Sequence, residues 1–190
     1  RPHAVVRHET PGPSVIERRH DDEIALHPDL ALLLSTSGST GSPKFVKLSR
    51  HNIHANATAI AEYLELDATE RAITTLKFNY SYGMSIIHSH LACGASLVLT
   101  ESSVTTPGFW PMFEAQGATS FAGVPYIFEM LDRTSDWAAQ PNLRYVTQAG
   151  GRLAPDVVRR MAELGQGHDW RFFVMYGQTE ASPRMTYLPP

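Results

Sequence analysis

A single cysteine, Cys93, is all the chain has, so no internal disulfide and no cysteine-based metal site can form. It sits in Leu91-Ala92-Cys93-Gly94, where a small buried residue at a helix end is expected rather than a nucleophile. No apolar run approaches the roughly 20 residues that a membrane-spanning helix needs, and no leader-like sequence opens the chain. A cytoplasmic location is the default expectation. Charge of one sign is also missing: 16 basic and 19 acidic residues leave a net charge of −3, and the basic residues gather no further than Arg18-Arg19. No nucleic-acid partner is therefore expected. With 43% hydrophobic and 18% charged residues, the 190 residues have the make-up of an ordinary globule with one good core. Nine histidines invite a metal reading, but the pairs His51/His54 and His88/His90 offer too few convergent ligands.

What the chain does have is a run of small hydroxyl and glycine residues, Ser35 to Lys44, directly after the apolar stretch Ala31 to Leu34. Gly38 and Gly41 let the main chain approach a ligand, so that successive N–H groups can face an anion. Thr36, Ser37, Ser39, Thr40 and Ser42 add hydroxyls, and Lys44 adds a point charge. The Walker register fails here: counting from Gly38 puts Pro43 where the second glycine belongs, and Phe45 follows the lysine. Phe45 to Leu48 alternates like a strand, so the loop is expected to join two strands. Serine-hydrolase registers also fail, since no Gly-x-Ser-x-Gly occurs.

Beyond the loop, strand-like and helix-like stretches alternate. Helices are expected from Ser49 as N-cap through Leu64, and over 82–92, 107–116, 124–133 and 154–164. Strands are expected over 71–76, 96–100, 119–122, 144–148 and 171–175. That pattern predicts an α/β fold with a largely parallel sheet covered by helices. Ligands in such sheets bind beyond the carboxyl ends of the strands.

Three stretches together resemble the acyl-adenylate-forming superfamily of acyl-CoA and aryl-CoA synthetases, nonribosomal-peptide adenylation domains and firefly luciferase. They are the loop Ser35–Lys44, the glycine pair Gly150-Gly151 and the motif Tyr176-Gly177-Gln178-Thr179-Glu180. The resemblance covers residues 31–190. It implies ATP and Mg²⁺ as cofactors, a small carboxylic acid as substrate and the thiol of CoA or a carrier protein as acceptor. It implies that Thr36 to Ser42 with Lys44 hold the β- and γ-phosphates, and that Gly150, Gly151 and Arg152 pass close to adenine. Tyr176 would stack on that base beside Gly177 and Gln178, Thr179 would bond the α-phosphate, and Glu180 would hold Mg²⁺. Lys44, Thr179 and Glu180 are thus the candidate catalytic residues.

The resemblance places Asn79, Tyr80, Tyr82 and Gly83 in the acid pocket. Amino-acid-activating members usually carry aspartate where Asn79 stands, to pair with the substrate ammonium. A neutral Asn79 favours a fatty, aryl or other simple acid. Tyr80 replaces a histidine found in many acyl-CoA synthetases, and Val174 replaces a frequent Asn or Gln. Residues 1–30 read as a connecting segment and 31–190 as an ATP-binding core. Both ends are expected to be cut from a longer enzyme whose C-terminal lid is absent, leaving a fragment that does not turn over alone and has edges open to self-association. A nucleotide-binding or regulatory module without chemistry is the alternative reading.

Overall fold

The computed structural model describes residues 4–7, 15–18, 25–36, 44–134 and 136–190. The chain divides into two compact units, residues 1–30 and 31–190. In the first, β1 (Ala4–Arg7) and β2 (Val15–Arg18) pair antiparallel, with Val6 opposite Ile16. The sequence reading places no strand here, because four-residue runs hardly display a two-residue period.

The second unit opens with β3 (Leu30–Ser35) and β4 (Phe45–Ser49), which form a two-stranded sheet of their own. At its open end the Thr36 amide donates to the Lys44 carbonyl at 3.1 Å, closing the base of the glycine-rich loop. The loop does join two strands, as expected. Its residues Ser37, Gly38, Ser39, Thr40, Gly41 and Ser42 lie outside the described residues. Leu34 and Leu48 are buried, and this small sheet shares a crevice with Ser81, Met84, Ser182 and Pro183.

Helix α1 (Arg50–Leu64) starts where the sequence predicts. The Ser49 hydroxyl accepts from the Asn52 amide at 3.1 Å and Asn52 Oδ1 accepts from the Ser49 amide at 3.0 Å, a reciprocal cap. There follow β5 (Arg71–Ile73), α2 (Ser81–Ala92), β6 (Ser96–Val98), α3 (Phe109–Ala115), β7 (Ser120–Gly123) and α4 (Pro125–Leu131). The chain continues through β8 (Tyr145–Gln148), α5 (Pro155–His168), β9 (Arg171–Gly177) and β10 (Arg184–Leu188). The main sheet has the order β10-β9-β8-β7-β5-β6, and all its pairings are parallel except β9 with β10.

Its central strands are buried on both faces, and their side chains sort by parity. Tyr145, Phe173 and Met175 face α1 and α2, packing with Ile60, Leu64, Tyr82 and Ile86. Val146 and Phe172 face α3, α4 and α5, packing with Phe113, Phe128, Met161 and Trp170. The result is the helix-covered α/β sheet that the alternation of elements predicts.

Several boundaries differ from expectation for physical reasons. β5 stops at Ile73 instead of reaching Leu76, because the Thr75 hydroxyl takes the Ala122 carbonyl in place of a strand amide. α3 begins at Phe109, not Pro107, since Gly108 turns into it at φ 92°. α5 continues past Leu164 to His168: at Gly165 a Cβ would lie 2.5 Å from the Trp170 carbonyl oxygen, so glycine allows the following chain to pack closely. β10 is not expected from sequence at all, and its pairing extends β9 to Gly177.

Candidate functional site

The order of the five parallel strands makes a switch point between β5 and β7, because one connection leaves β5 toward β6 and the next returns across it to β7. A cleft of about 540 Å³ opens at the carboxyl ends there, lined by Thr74, Thr75, Leu76, Lys77, Phe78, Thr100 to Val104 and Ile127. The glycine pair and the Tyr-Gly-Gln-Thr-Glu motif emerge from the same edge of the sheet, at the ends of β8 and β9.

Gly150 has φ 85°, a conformation that side-chain-bearing residues avoid, and a Cβ on it would lie 2.5 Å from the Tyr80 hydroxyl. A Cβ on Gly151 would lie 3.1 Å from Pro125 Cγ. Both glycines and Arg152 are exposed. Below them Gln148 is fully buried: its Nε2 donates to the Gly151 carbonyl at 3.0 Å, while its Oε1 has no partner among the described residues.

At the end of β9, Tyr176 is 62% exposed, an aromatic face set out at the sheet edge. Gly177 is forced to be glycine, since a Cβ would overlap the Pro183 carbonyl oxygen at 1.6 Å. That close approach holds the short 3₁₀ turn Thr179–Ala181 against the sheet, with Gln178 exposed at its cap. Thr179 Oγ1 donates to Ser81 Oγ at 3.1 Å, tying the motif to the first turn of α2. Glu180 is exposed and no ion pair holds it among the described residues.

The segment from β5 to α2 supplies the remaining groups. Asn79 and Tyr80 are exposed at the helix start, and the Tyr80 ring meets Tyr82 edge-on at 6.3 Å. Tyr82 is 3% exposed, its hydroxyl sharing a 2.8 Å hydrogen bond with Thr147 Oγ1, and burial pushes its phenol well above the ordinary range. Gly83 faces backbone, because a Cβ would lie 2.3 Å from the Lys77 carbonyl oxygen. It lets the helix pack tightly on the preceding turn. Lys44 is exposed at the base of the glycine-rich loop.

The structure thus brings together Asn79, Tyr80, Tyr82, Gly150, Gly151 and the residues around Thr179. It adds three that the sequence reading does not single out: Ser81, Thr147 and Gln148. Thr147-Gln148 carried a signal, being a polar pair at the end of the apolar strand run Tyr145-Val146.

Comparison with known proteins agrees with the fold. The sequence matches the AMP-binding enzyme family over residues 4–190, and the chain belongs to that family. It is 30% identical over 175 residues to an oxalate–CoA ligase of Arabidopsis thaliana, covering 88% of this chain and 33% of that protein. It is 32% identical over 161 residues to an acyl-CoA synthetase of Alternaria alternata, covering 82% of this chain and 27% of that protein. Among solved structures, VinN in complex with L-aspartate superposes with a TM-score of 0.72 at 25% identity, over 89% of this chain and 42% of that one. The chain therefore spans a third or less of the length of these two curated relatives.

Among the described residues, no group of three or more His, Cys, Asp or Glu could hold a metal ion by itself, and no helix is long and apolar enough to cross a membrane.

Proposed function

We propose that residues 31–190 form the ATP-binding core of an enzyme that activates a carboxylic acid as its acyl-adenylate, releasing pyrophosphate, for later transfer to a thiol of CoA or a carrier protein. The observation that carries this reading is the meeting at one sheet edge of the Thr179–Ser81 hydrogen bond with exposed Tyr176, Glu180 and the Gly150-Gly151 turn. The names of the relatives support it, since they include a CoA ligase and an acyl-CoA synthetase.

A nucleotide fits these residues. Gly150 and Gly151 leave main chain bare at the edge, and Tyr176 offers a free aromatic face for a base to stack on. Arg152, Gly177 and Gln178 flank that face. Thr36, Ser37 to Ser42 and Lys44 take the β- and γ-phosphates in this reading, with backbone amides, hydroxyls and one ammonium. Thr179 donates to an α-phosphate oxygen in this reading once its single hydroxyl proton turns away from Ser81, whose own hydroxyl can then donate back to Thr179 Oγ1 and keep it in place. Glu180 presents to Mg²⁺ a carboxylate with no ion pair among the described residues; the ion is a hard cation that takes oxygen ligands from one or two carboxylates and the phosphates themselves. Bound there, the ion would neutralise charge on the phosphate oxygens.

In the reaction, a substrate carboxylate oxygen forms a bond to the α-phosphorus while the bond from that phosphorus to the α,β-bridging oxygen breaks, and pyrophosphate leaves. No proton is transferred and no protein nucleophile is needed. The protein's part is to position the two reactants and stabilise the phosphate charge. Asn79, Tyr80, Tyr82 and Gly83 border the acid. The test is carboxylate-dependent ATP–pyrophosphate exchange by the full-length protein over fatty, aryl, amino and dicarboxylic acids. Exchange with one class supports the reading. Nucleotide binding without exchange for any acid would leave a non-catalytic module as the better account.

A further inference from the structure

Thr179 is tied to Ser81 in the first turn of α2, and the residues on either side of Ser81 are tyrosines. Tyr80 leans over the sheet edge, where its hydroxyl oxygen would lie 2.5 Å from a Cβ on Gly150. Tyr82 turns inward and is 3% exposed. Its hydroxyl shares a 2.8 Å hydrogen bond with Thr147 Oγ1, so this side chain spans the whole distance from α2 to β8. The two rings meet edge-on with their centres 6.3 Å apart. One tyrosine thus stands at the rim of the gap between α2 and β8, and the other closes its floor.

The gap exists because the sheet carries small side chains there. Ala122 on β7 and Ala149 just after β8 belong to the same buried cluster as Tyr82, Phe173 and Met175. Alanines on a sheet beneath a helix leave a recess, and protein interiors are packed too densely for one to stay empty. Tyr82 fills it. A phenol buried alone would be costly, and Thr147 supplies the partner that stabilises it there. The nearby glycines add no room on this side. The side chain that Gly83 lacks would run into the Lys77 carbonyl, and the one that Gly123 lacks would meet Phe128 and Ile127.

We infer that Tyr80 and Tyr82 limit the length of the acid being activated, so that the preferred substrates are short acids such as acetate, propionate and butyrate, and long-chain and aryl acids are excluded. This inference rests on the adenylation reading above. In that reading the carboxylate reacts beside Thr179 and the Gly150 turn, and the rest of the acid extends from there between α2 and β8. A short chain ends against the Tyr80 ring. A longer one meets Tyr82, and displacing that ring would break its bond to Thr147 and leave a buried hydroxyl without its partner. An apolar pocket closed in this way ranks acids by single methylenes, each worth about 10- to 200-fold.

The experiment is ATP–pyrophosphate exchange by the full-length protein with acetate, propionate, butyrate, hexanoate, octanoate and benzoate, in wild type, Tyr80→Phe, Tyr80→Ala and Tyr82→Val. In wild type, kcat/KM should fall by at least about tenfold from the best short acid to octanoate and to benzoate. Tyr80→Phe should keep that fall, because the ring and not the hydroxyl sets the limit. Tyr80→Ala should raise octanoate and benzoate relative to the short acids by about tenfold, and Tyr82→Val should move the optimum to a longer chain. If octanoate or benzoate serves wild type as well as the best short acid, the inference is overturned while adenylation stands. A short-acid preference that persists unchanged in both Tyr80→Ala and Tyr82→Val, with all acids slowed alike, overturns it too, since the two rings would then be packing only. No exchange with any acid would overturn adenylation itself, and this inference with it. Should Tyr82→Val fail to fold, the wild-type profile and Tyr80→Ala decide, Tyr80 being an exposed side chain.

Discussion

His90 shows how far one side chain's surroundings set its chemistry. It is 2% exposed on α2, with Nδ1 2.8 Å from the Ile86 carbonyl oxygen and Nε2 2.9 Å from the Tyr145 hydroxyl. A neutral ring that donates from one nitrogen and accepts at the other satisfies both contacts. Burial, with nearby Arg184 adding to it, holds the imidazole below its usual pKa of 6.5. The unfolded chain then binds more protons than the native one in the interval below 6.5, so stability is complete above that value and is lost as pH falls through the interval. The melting temperature of wild type should drop between pH 7 and pH 5 more steeply than that of His90→Gln; equal slopes would rule His90 out as the cause. Tyr82 and Tyr145 act at the other extreme. Burial raises both phenols, so the neutral forms they favour are stabilising below about pH 10 and that contribution fades as pH rises further.

Glu180 is the residue at which the proposed chemistry is most exposed to test. It is at the surface with no ion pair among the described residues, so Glu180→Gln should leave the melting temperature within about 1 °C of wild type, as surface substitutions of this kind usually cost little. It should slow acid-dependent exchange by about 100-fold or more and raise the Mg²⁺ concentration needed for half-maximal rate. Full activity in this variant would remove Glu180 from the site.

Among the elements, α1 is the clearest case of a local sequence deciding a boundary. Ser49 and Asn52 satisfy each other's backbone amides at its start, and Glu65 takes the left-handed conformation that ends it, its amide bonding back to Ala61 and Glu62. Ser49→Ala removes the hydroxyl acceptor and should cost about 1 kcal/mol, measured as a lower urea midpoint with unchanged slope. No loss would mean that packing against α2 and β4 alone sets where the helix begins. β10 is the opposite case. Arg184 to Leu188 shows little period of its own, and it is a strand because it finds the edge of β9 and because Gly177 lets Pro183 come close. No local pattern reports that meeting.

At the scale of the whole molecule the sheet separates two cores, and the larger one is rich in aromatics. Phe121 lies in it with Trp110, Phe113, Phe128 and Trp137 around its ring, and it is 2% exposed. Phe121→Ala should cost about 3–5 kcal/mol, through lost transfer energy and the cavity left behind. Denaturation by urea checks it, and a loss under about 1 kcal/mol would mean that the neighbouring rings collapse into the space.

Much of the fold was legible in the residues. The order of helices and strands from Ser49 to Met175 follows from the alternation of 3.6- and 2-residue periods, and β7 and β8 read as fully buried runs because helices cover both faces of a parallel sheet. Tyr176 to Glu180 and Gly150-Gly151 could be picked out because their chemistry is carried by neighbours in sequence, with glycines where the chain must turn. Chain order alone thus determined the element types, the family resemblance and the short motifs. Only tertiary structure decided that β3 and β4 form a sheet apart, that β10 closes the edge beside β9, and that Thr179 reaches Ser81 across 98 residues. It alone set the Arg184 guanidinium among Tyr63, Tyr82 and Ser85. The reason is physical: period and turn chemistry act between near neighbours, whereas the partners of a half-buried charge are chosen by how distant elements pack.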